Sequence, residues 1–441
     1  MSIVLSKWAL RVAIGVGALA LGAGEAHANG RFPAASQLVV FPRTPERLVL
    51  RTTFGILFSH DRGATWDWVC ERAVGYGGQY DPAIGIVGDN VLAGTFEGLS
   101  VTQDLGCSWN FAGGGLKGQV VIDVTSRPGN PAGALALTST YRLDDAGAGY
   151  TSDIYETTDE GSSWSRLGIG LPTYAIAETV DTAPSDGARI YASAFRRKGE
   201  SIEGLFYASK DNGHTFSETL IELTLNEGAP FIAAVDPLNA DRVYVRTTAG
   251  SASRLLVTDD GGKTFRTART GPAILGFALS GDGSKVWVGG TDGLYEASRD
   301  DFALTKKSAA QIQCLTWFQG TLYACSTESS GFILGASTDD GVTFAPLLHL
   351  ATVRGPLACA SATPTANCII EWPAIRDQLG IVDDAGPGRP DAGAQGATSS
   401  DDGGCSVPSG KSGPVAFFSM CAAAIAAILA RTVIVRRRRP R

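Results

Sequence analysis

Between residues 35 and 350 the apolar positions come in short runs, broken by Gly, Asp, Pro and Ser, and helix-period stripes are almost absent. Runs of this length rich in Val, Ile, Leu and aromatics, bounded by turn residues, predict strands. The first four are 37–41, 47–52, 55–59 and 66–69, with Pro42-Arg43-Thr44-Pro45 as the first turn. The same four-strand order returns down the chain. Strands are expected at 83–87, 90–95 and 98–101, at 231–235 and 242–246, at 274–278, 285–288 and 293–295, and at 311–316 and 321–325.

A short phrase punctuates each group. It stands at Ser59-His60-Asp61-Arg62-Gly63-Ala64-Thr65-Trp66 and has the form Ser/Thr-x-Asp-x-Gly-x-Ser/Thr-aromatic. Further copies carry Asp104, Asp159, Asp211, Asp260 and Asp339, and a worn copy carries Asp300, with Phe302 in place of the Gly. Successive copies start 43, 55, 52, 49, 40 and 39 residues apart. That period suits the blades of a propeller. The phrase reads as a hairpin turn. The Asp accepts N–H groups further along the turn, the Gly supplies a positive φ, and the aromatic opens the next strand with a large buried face. The Asp residues are therefore expected to be structural. Calcium binding of the EF-hand kind is excluded, because the alternating oxygen ligands and terminal Glu are missing.

The phrase resembles the Asp-box, or bacterial neuraminidase repeat, found in sialidases, xyloglucanases, sortilin-type receptors and photosystem assembly factors. The resemblance covers residues 59–344 and implies a β-propeller with the box in a hairpin of each blade. Seven copies give the expectation of an all-β, seven-bladed propeller of four-stranded blades over residues 29–382. The turn after the first strand, as in Val235-Asp236-Pro237-Leu238-Asn239-Ala240-Asp241-Arg242, is similar to the sortilin, xyloglucanase and assembly-factor branch more than to the sialidases. Fold is well specified by such a motif and function poorly.

Blades three and four are long, with extra residues at 140–152 and 195–203, both between the second and third strands. Insertions that share one place in the repeat share one face, often the binding face, although neutral loop drift gives the same pattern. Residues 351–380 are expected to close the ring against blade one or seven. Residues 383–404, acidic and rich in Gly, Pro and Ser, lack large apolar side chains and read as a linker.

Both ends carry address signals. Lys7 and Arg11, the apolar stretch 12–23 and Ala26-His27-Ala28 form a secretory signal, with cleavage expected after Ala28. At the other end, Gly404-Cys405 precedes the apolar run 415–430, and Arg436–Arg439 follows it. A run near 20 residues is long enough to span a bilayer, with the Arg cluster on the cytoplasmic side. The tail of residues 405–441 resembles the MYXO-CTERM sorting signal. That resemblance implies a sorting protease cutting near Cys405, lipid on Cys405, and display at the cell surface or outer membrane; an ordinary single-pass anchor is the alternative.

Charge and cysteines refine this picture. The chain has a formal charge of −7, but residues 1–28 hold +1 and 406–441 hold +7, which leaves −15 for residues 29–405. So acidic a body argues against nucleic acid as a partner. Eight Cys beside an export signal point to an oxidising compartment. Cys314 with Cys325 is expected across a hairpin, Cys359 with Cys368 around a small loop, and Cys70 with Cys107 between blades one and two.

Catalytic or metal chemistry finds little support. No Cys/His spacing fits a metal, and His60, His214 and His349 have no ligand set; His60 and His214 sit at variable turn positions and should face solvent. Arg51, Arg142, Arg246 and Arg354 show no spacing that gathers them. Of the carboxylates near first strands, Asp81, Asp123 and Asp236, the last two suit turn geometry, whereas a glycosidase needs two across a cleft. The expectation is a monomeric, non-enzymatic binding or scaffold module without cofactor, taking a glycan or protein ligand at the channel mouth. A glycoside hydrolase on the same scaffold and an envelope assembly factor are the alternatives.

Overall fold

The computed structural model describes residues 31–144, 147–224 and 226–382. The secretory signal with Ala28, the linker, Cys405 and the apolar tail with its Arg cluster lie outside the described residues. Among the described residues no helix is long and apolar enough to cross a membrane.

Seven four-stranded antiparallel sheets follow one another along the chain. Blade one holds β1 (Ala35–Val40), β2 (Leu48–Thr52), β3 (Gly55–Ser59) and β4 (Asp67–Val69), followed by the short helix α1 (Glu71–Val74). Blade two holds β5 (Ala83–Val87), β6 (Asn90–Thr95), β7 (Gly98–Thr102) and β8 (Asn110–Phe111). Blade three holds β9 (Val121–Ser126) and β10 (Ala134–Thr138). An inserted hairpin comes next, β11 (Thr140–Asp144) with β12 (Gly147–Thr151), and the blade ends with β13 (Ile154–Thr157) and β14 (Ser165–Leu167). Blade four holds β15 (Ile176–Ala183), the long pair β16 (Asp186–Lys198) and β17 (Ser201–Ser209), and β18 (Ser217–Ile221). Blade five holds β19 (Phe231–Val235), β20 (Val243–Arg246), β21 (Ser253–Thr258) and β22 (Arg266–Gly271). Blade six holds β23 (Ile274–Leu279), β24 (Lys285–Gly290), β25 (Gly293–Ser298) and β26 (Thr305–Ser308). Blade seven holds β27 (Cys314–Phe318), β28 (Thr321–Cys325), β29 (Leu334–Ser337) and β30 (Ala345–Leu348). The strands expected at 83–87, 90–95, 231–235 and 321–325 have those bounds. Blade seven opens three residues later than expected, at Cys314.

The first strands of successive blades touch in a ring that returns from β27 to β1. They line a central channel, and the apolar core lies between blades. The alternation of side chains explains this: one face of each sheet packs on each neighbouring blade, so the second and third strands are apolar on both faces. Leu48, Val49, Leu50, Ile56, Leu57 and Phe58 are all fully buried.

Each blade has two ends. First strands begin, and second-to-third hairpins turn, on what we call the entry face. The phrase-bearing turns lie on the opposite, turn face, against the first-to-second turns, as Arg62 N–H bonded to Glu46 O shows. In blade one, Asp61 Oδ1 accepts from Thr65 N (2.9 Å) and Ser59 Oγ (2.8 Å), and Oδ2 accepts from Thr65 Oγ1 (2.6 Å). Ser59 Oγ in turn accepts from Gly63 N (2.9 Å). The same set recurs around Asp159, Asp211, Asp260 and Asp339. Asp104 accepts from Thr102 Oγ1 and Ser108 N. The hydroxyl of Ser163, Thr215 or Thr343, followed by the N–H of the same residue, draws Asp159, Asp211 and Asp339 down to about 2.

Two features go beyond the expectation. The residue before the Gly is also left-handed, as at Arg62 (φ 60°) preceding Gly63 (φ 88°) and Leu105 (φ 58°) preceding Gly106 (φ 101°). The worn turn of blade six works differently: Phe302 takes φ 53°, and Asp300 accepts no turn N–H but lies near Arg299 (3.4 Å) and Arg242 (3.7 Å).

Among the described residues no strand is exchanged between blades one and seven, since each is built from consecutive strands. Closure falls to residues 349–382, which we call the clasp. It runs along the outer edge of blade one, where Pro356 bridges Trp68 in parallel, Trp68 N–H reaches Gly355 O (2.7 Å) and Leu357 N–H reaches Trp68 O (2.8 Å). It ends in α2 (Trp372–Gln378), whose Trp372 packs on Trp68. Disulfides pin it: Cys107–Cys359 and Cys70–Cys368, with Cα–Cα separations of 5.5 and 5.4 Å. Cys314–Cys325 crosses β27 and β28 as expected. The other two expected pairings are corrected. Cys107 lies in the phrase turn on the turn face, whereas Cys70 follows β4 at the entry face, so the two cannot meet. Cys359 and Cys368 instead sit at opposite ends of a stretch that climbs the blades between them.

Candidate binding site at the channel mouth

On the entry face the channel opens into a cavity of about 350 Å³. Its wall comes from the starts of first strands and the ends of second strands. A bulge recurs near the start of the first strand in five blades, at Ser36, Ile122, Glu178, Ala233 and Leu275. Four of these line the cavity; Glu178 holds the matching place in blade four. An extra residue in one strand twists the ladder and re-aims a side chain, which opens the mouth toward solvent.

Two arginines face this cavity. Arg51, at the end of β2, donates from Nε to Ser36 Oγ (3.0 Å) and from Nη1 to Pro82 O (3.1 Å). Arg246, at the end of β20, donates from Nη1 to Ile274 O (2.5 Å) and Leu275 O (3.1 Å), and its guanidinium lies 4.4 Å from the Phe231 ring centre. Neither is ion-paired at contact distance among the described residues. Burial lowers both, Arg246 to about 10, with the charge of Arg51 adding to the effect there. A desolvated guanidinium stabilised by carbonyls and an aromatic face keeps spare donors for an incoming acceptor.

The two carboxylates that line the cavity, Asp81 and Asp123, are occupied. Asp81 Oδ1 is held by Arg31 (2.7 Å), which also reaches Glu71 (3.1 Å). Asp123 accepts N–H bonds at both oxygens, from Val124 and from Val180 of the next blade, each 2.9 Å. Deeper in the channel, Asp181 accepts from Thr182 N (2.7 Å). Burial raises Asp123 to about 7 against the pull of the Val180 N–H, and raises Asp181 to about 6. Glu178 has no hydrogen-bond partner among the described residues, and burial alone lifts it to about 7. Tyr80, whose hydroxyl bonds Gly94 O (3.0 Å), is pushed up to about 12 by burial.

The structure thus gathers four residues that sequence spacing could not: Arg51, Arg246, Asp81 and Asp123. It separates the rest. Asp236 caps a first-to-second turn on the turn face through Leu238 N (2.9 Å) and Asn239 N (3.0 Å). Arg354 pairs with Asp67 on the clasp (3.0 Å). Arg142 stands exposed on β11, His349 bonds Glu328 (2.9 Å), and His60 and His214 are exposed as expected. Glu178 went unseen because a bulge leaves no mark in the strand pattern, and Phe231 and Tyr80 because they reach the mouth only when the blades close into a ring. The inserted hairpins β11–β12 and β16–β17 rise from this same face. Many exposed apolar side chains stand here too, among them Phe96, Tyr141, Leu143, Ile169, Tyr174 and Phe231. Among the described residues no cluster of His, Cys, Asp and Glu is arranged to hold a metal ion.

Neither a protein-family model nor a curated protein sequence matches the chain. Solved structures do resemble it. YCF48 from Cyanidioschyzon merolae is 16% identical over 70% of this chain and 94% of that one, with a TM-score of 0.46. The Niastella koreensis GH74 enzyme is 15% identical over 71% of each chain, with a TM-score of 0.31. The extracellular domain of BT4673 from B. thetaiotaomicron is 13% identical over 69% of this chain and 38% of that one, with a TM-score of 0.47.

Proposed function

We infer that this chain is an exported binding module, held at the cell surface through its C-terminal segment, which takes a glycan or protein ligand at the entry-face mouth. The observation that carries the reading is the contrast at the mouth. Arg51 and Arg246 keep donors free, whereas Asp81 and Asp123 are consumed by Arg31 and by main-chain N–H groups. Donors poised around a small cavity and ringed by exposed aromatics suit recognition. The three disulfides support folding in an oxidising compartment.

Glycan-array and surface-protein binding by the purified protein, with mass spectrometry of the same glycans, tests this. Binding without cleavage, lost in Arg51→Ala and Arg246→Ala, is the expected result. Cleavage would overturn it in favour of a hydrolase. Glu178 is the observation that favours that second reading, since an unpaired carboxyl lifted to about 7 could serve as a general acid.

A further inference from the structure

The β11–β12 hairpin forms a two-stranded sheet of its own above blade three, paired from Thr140↔Thr151 to Asp144↔Gly147. In an antiparallel hairpin with a two-residue connection, the closing pair exchanges hydrogen bonds and the pattern then alternates. Asp144, Arg142 and Thr140 therefore turn their main-chain groups toward β12, and Tyr141 and Leu143 turn theirs away. The same parity points the Tyr150 N–H outward from β12, and that group indeed bonds Thr173 O at 2.8 Å. On the β11 side, the N–H and C=O of Tyr141 and Leu143 meet no backbone partner among the described residues.

This bare edge continues the line of β9. β9 pairs with β10 on that side but begins only at Val121, with Ser139 N–H closing onto Val120 O. A strand laid along β11 would end against Val120, whose N–H bonds Thr140 Oγ1 (2.9 Å), two residues before Ile122 of the cavity wall. The side chains of the edge keep open surface as well: Leu143 is 75% exposed, and Tyr141, on the same face, is 57% exposed although its ring meets that of Tyr150 edge-on at 5.5 Å. Arg142 is exposed on the other face, 3.4 Å from Gln119 Oε1. Uncovered edges are ordinarily blunted or used.

Resting on the reading of the entry face as the binding face, we propose that β11 receives an extended segment of a protein ligand as an added strand. The segment alternates apolar residues, set against Tyr141 and Leu143, with acidic residues, set against Arg142 and leading toward Arg51 and Arg246. Main-chain bonds to Tyr141 and Leu143 would hold it, and the alternate side chains would select it.

The probe is a fluorescent seven-residue peptide of alternating valine and glutamate, acetylated and amidated, titrated by anisotropy against the full protein. Binding is expected, with slowed amide exchange at Tyr141 and Leu143. Leu143→Pro removes an outward N–H without touching a β11–β12 bond, and should weaken binding by about tenfold or more. Leu143→Thr keeps the N–H and should stay within about threefold. Thermal melts check that both variants fold. No peptide binding, equal binding by Leu143→Pro, or exchange protection absent from β11 would overturn the proposal. A glycan bound through Arg51 and Arg246 with β11 unprotected would sink it while leaving the function above intact.

Discussion

The clasp should supply a large share of the stability of this propeller, and the order of its disulfides sets a testable non-additivity. Cys70–Cys368 is separated by 298 residues and Cys107–Cys359 by 252. Closing either loop alone in the unfolded chain is worth about 5.6 kcal/mol by loop entropy. The loops are nested, however. With one closed, the second closes a ring of the 37 residues from Cys70 to Cys107 and the 9 from Cys359 to Cys368. That smaller ring is worth about 4 kcal/mol. Replacing either pair by Ala should therefore cost about 4 kcal/mol, and replacing both about 10, more than twice a single loss. These are ceilings, since measured values cluster at about 2–4 kcal/mol. For a folded body of this size 1 kcal/mol moves the melting point by about 1.4 °C. Calorimetry without reductant should then show drops of about 6 °C for each single pair and about 14 °C for the double. A double loss equal to or smaller than the sum of the singles would refute the nested-loop argument. A double variant melting within about 2 °C of the parent would show that the clasp's packing on Trp68 alone closes the ring.

Other outcomes follow from single sites. Gly106→Ala should destabilise by more than about 1 kcal/mol, because φ is 101° and an added Cβ would lie 3.0 Å from Phe58 and 3.1 Å from Leu357; urea titration reads it. Acid should weaken the protein through the turn carboxylates. Asp159, Asp211 and Asp339 sit near 2, below their unfolded value, so their stabilisation is complete above about pH 4 and is lost as pH falls toward 2. The channel carboxylates act in the opposite sense. Asp123 and Glu178, near 7, and Asp181, near 6, hold protons that the unfolded chain releases near 4, so stability should decline from about pH 4 to pH 7. Denaturation midpoints across pH 2–8 should thus peak near pH 4–5, and Glu178→Gln should flatten the alkaline limb.

How much of this was legible depends on how local the cause is. The phrase turns were legible because every bond of one turn lies within five residues, Ser59 to Gly63 and Asp61 to Thr65. The strands at 83–87 and 231–235 were legible because their alternation is bounded by turn residues on both sides. Cys314–Cys325 was legible for the same reason. Cys70–Cys368 was not: the two lie 298 positions apart, and local spacing favoured Cys359 with Cys368 instead. Arg51 and Arg246 meet only because the ring closes, and no spacing records that. The bulge that gives Glu178 its place costs one unpaired residue and leaves the apolar pattern unchanged.

The two faces also explain why a motif that specifies the fold is silent on function. Each phrase turn outside blade six is held by the same bonds within itself, so its sequence is set by local geometry that six blades share, with cross-blade bonds such as Trp66 Nε1 to Leu347 O (3.0 Å) and Asn90 Nδ2 to Glu160 O (2.8 Å) added. The entry face repeats less of its bonding: Thr52 and Thr95 donate from Oγ1 to Gly55 O and Gly98 O (2.8 Å each), and the long hairpin of blade four lacks that turn. Its second-to-third hairpins range from the bare turn between Thr52 and Gly55 to the nine paired residues of β16 and β17. The first-strand bulge position holds Ser36, Ile122, Glu178, Ala233 or Leu275 in different blades. Constraint is therefore concentrated where the blades are alike, and the freedom needed to build a site lies where they differ. Arg51 on blade one, Arg246 on blade five and the bare edge of β11 on blade three are each found once, on that less constrained face. A substitution in a phrase turn should accordingly lower stability and leave the intrinsic affinity of the folded protein unchanged. A substitution at Arg246 should lower the affinity of the folded protein, with some loss of stability as Ile274 O and Leu275 O lose a donor, and the two measurements made together separate scaffold from site.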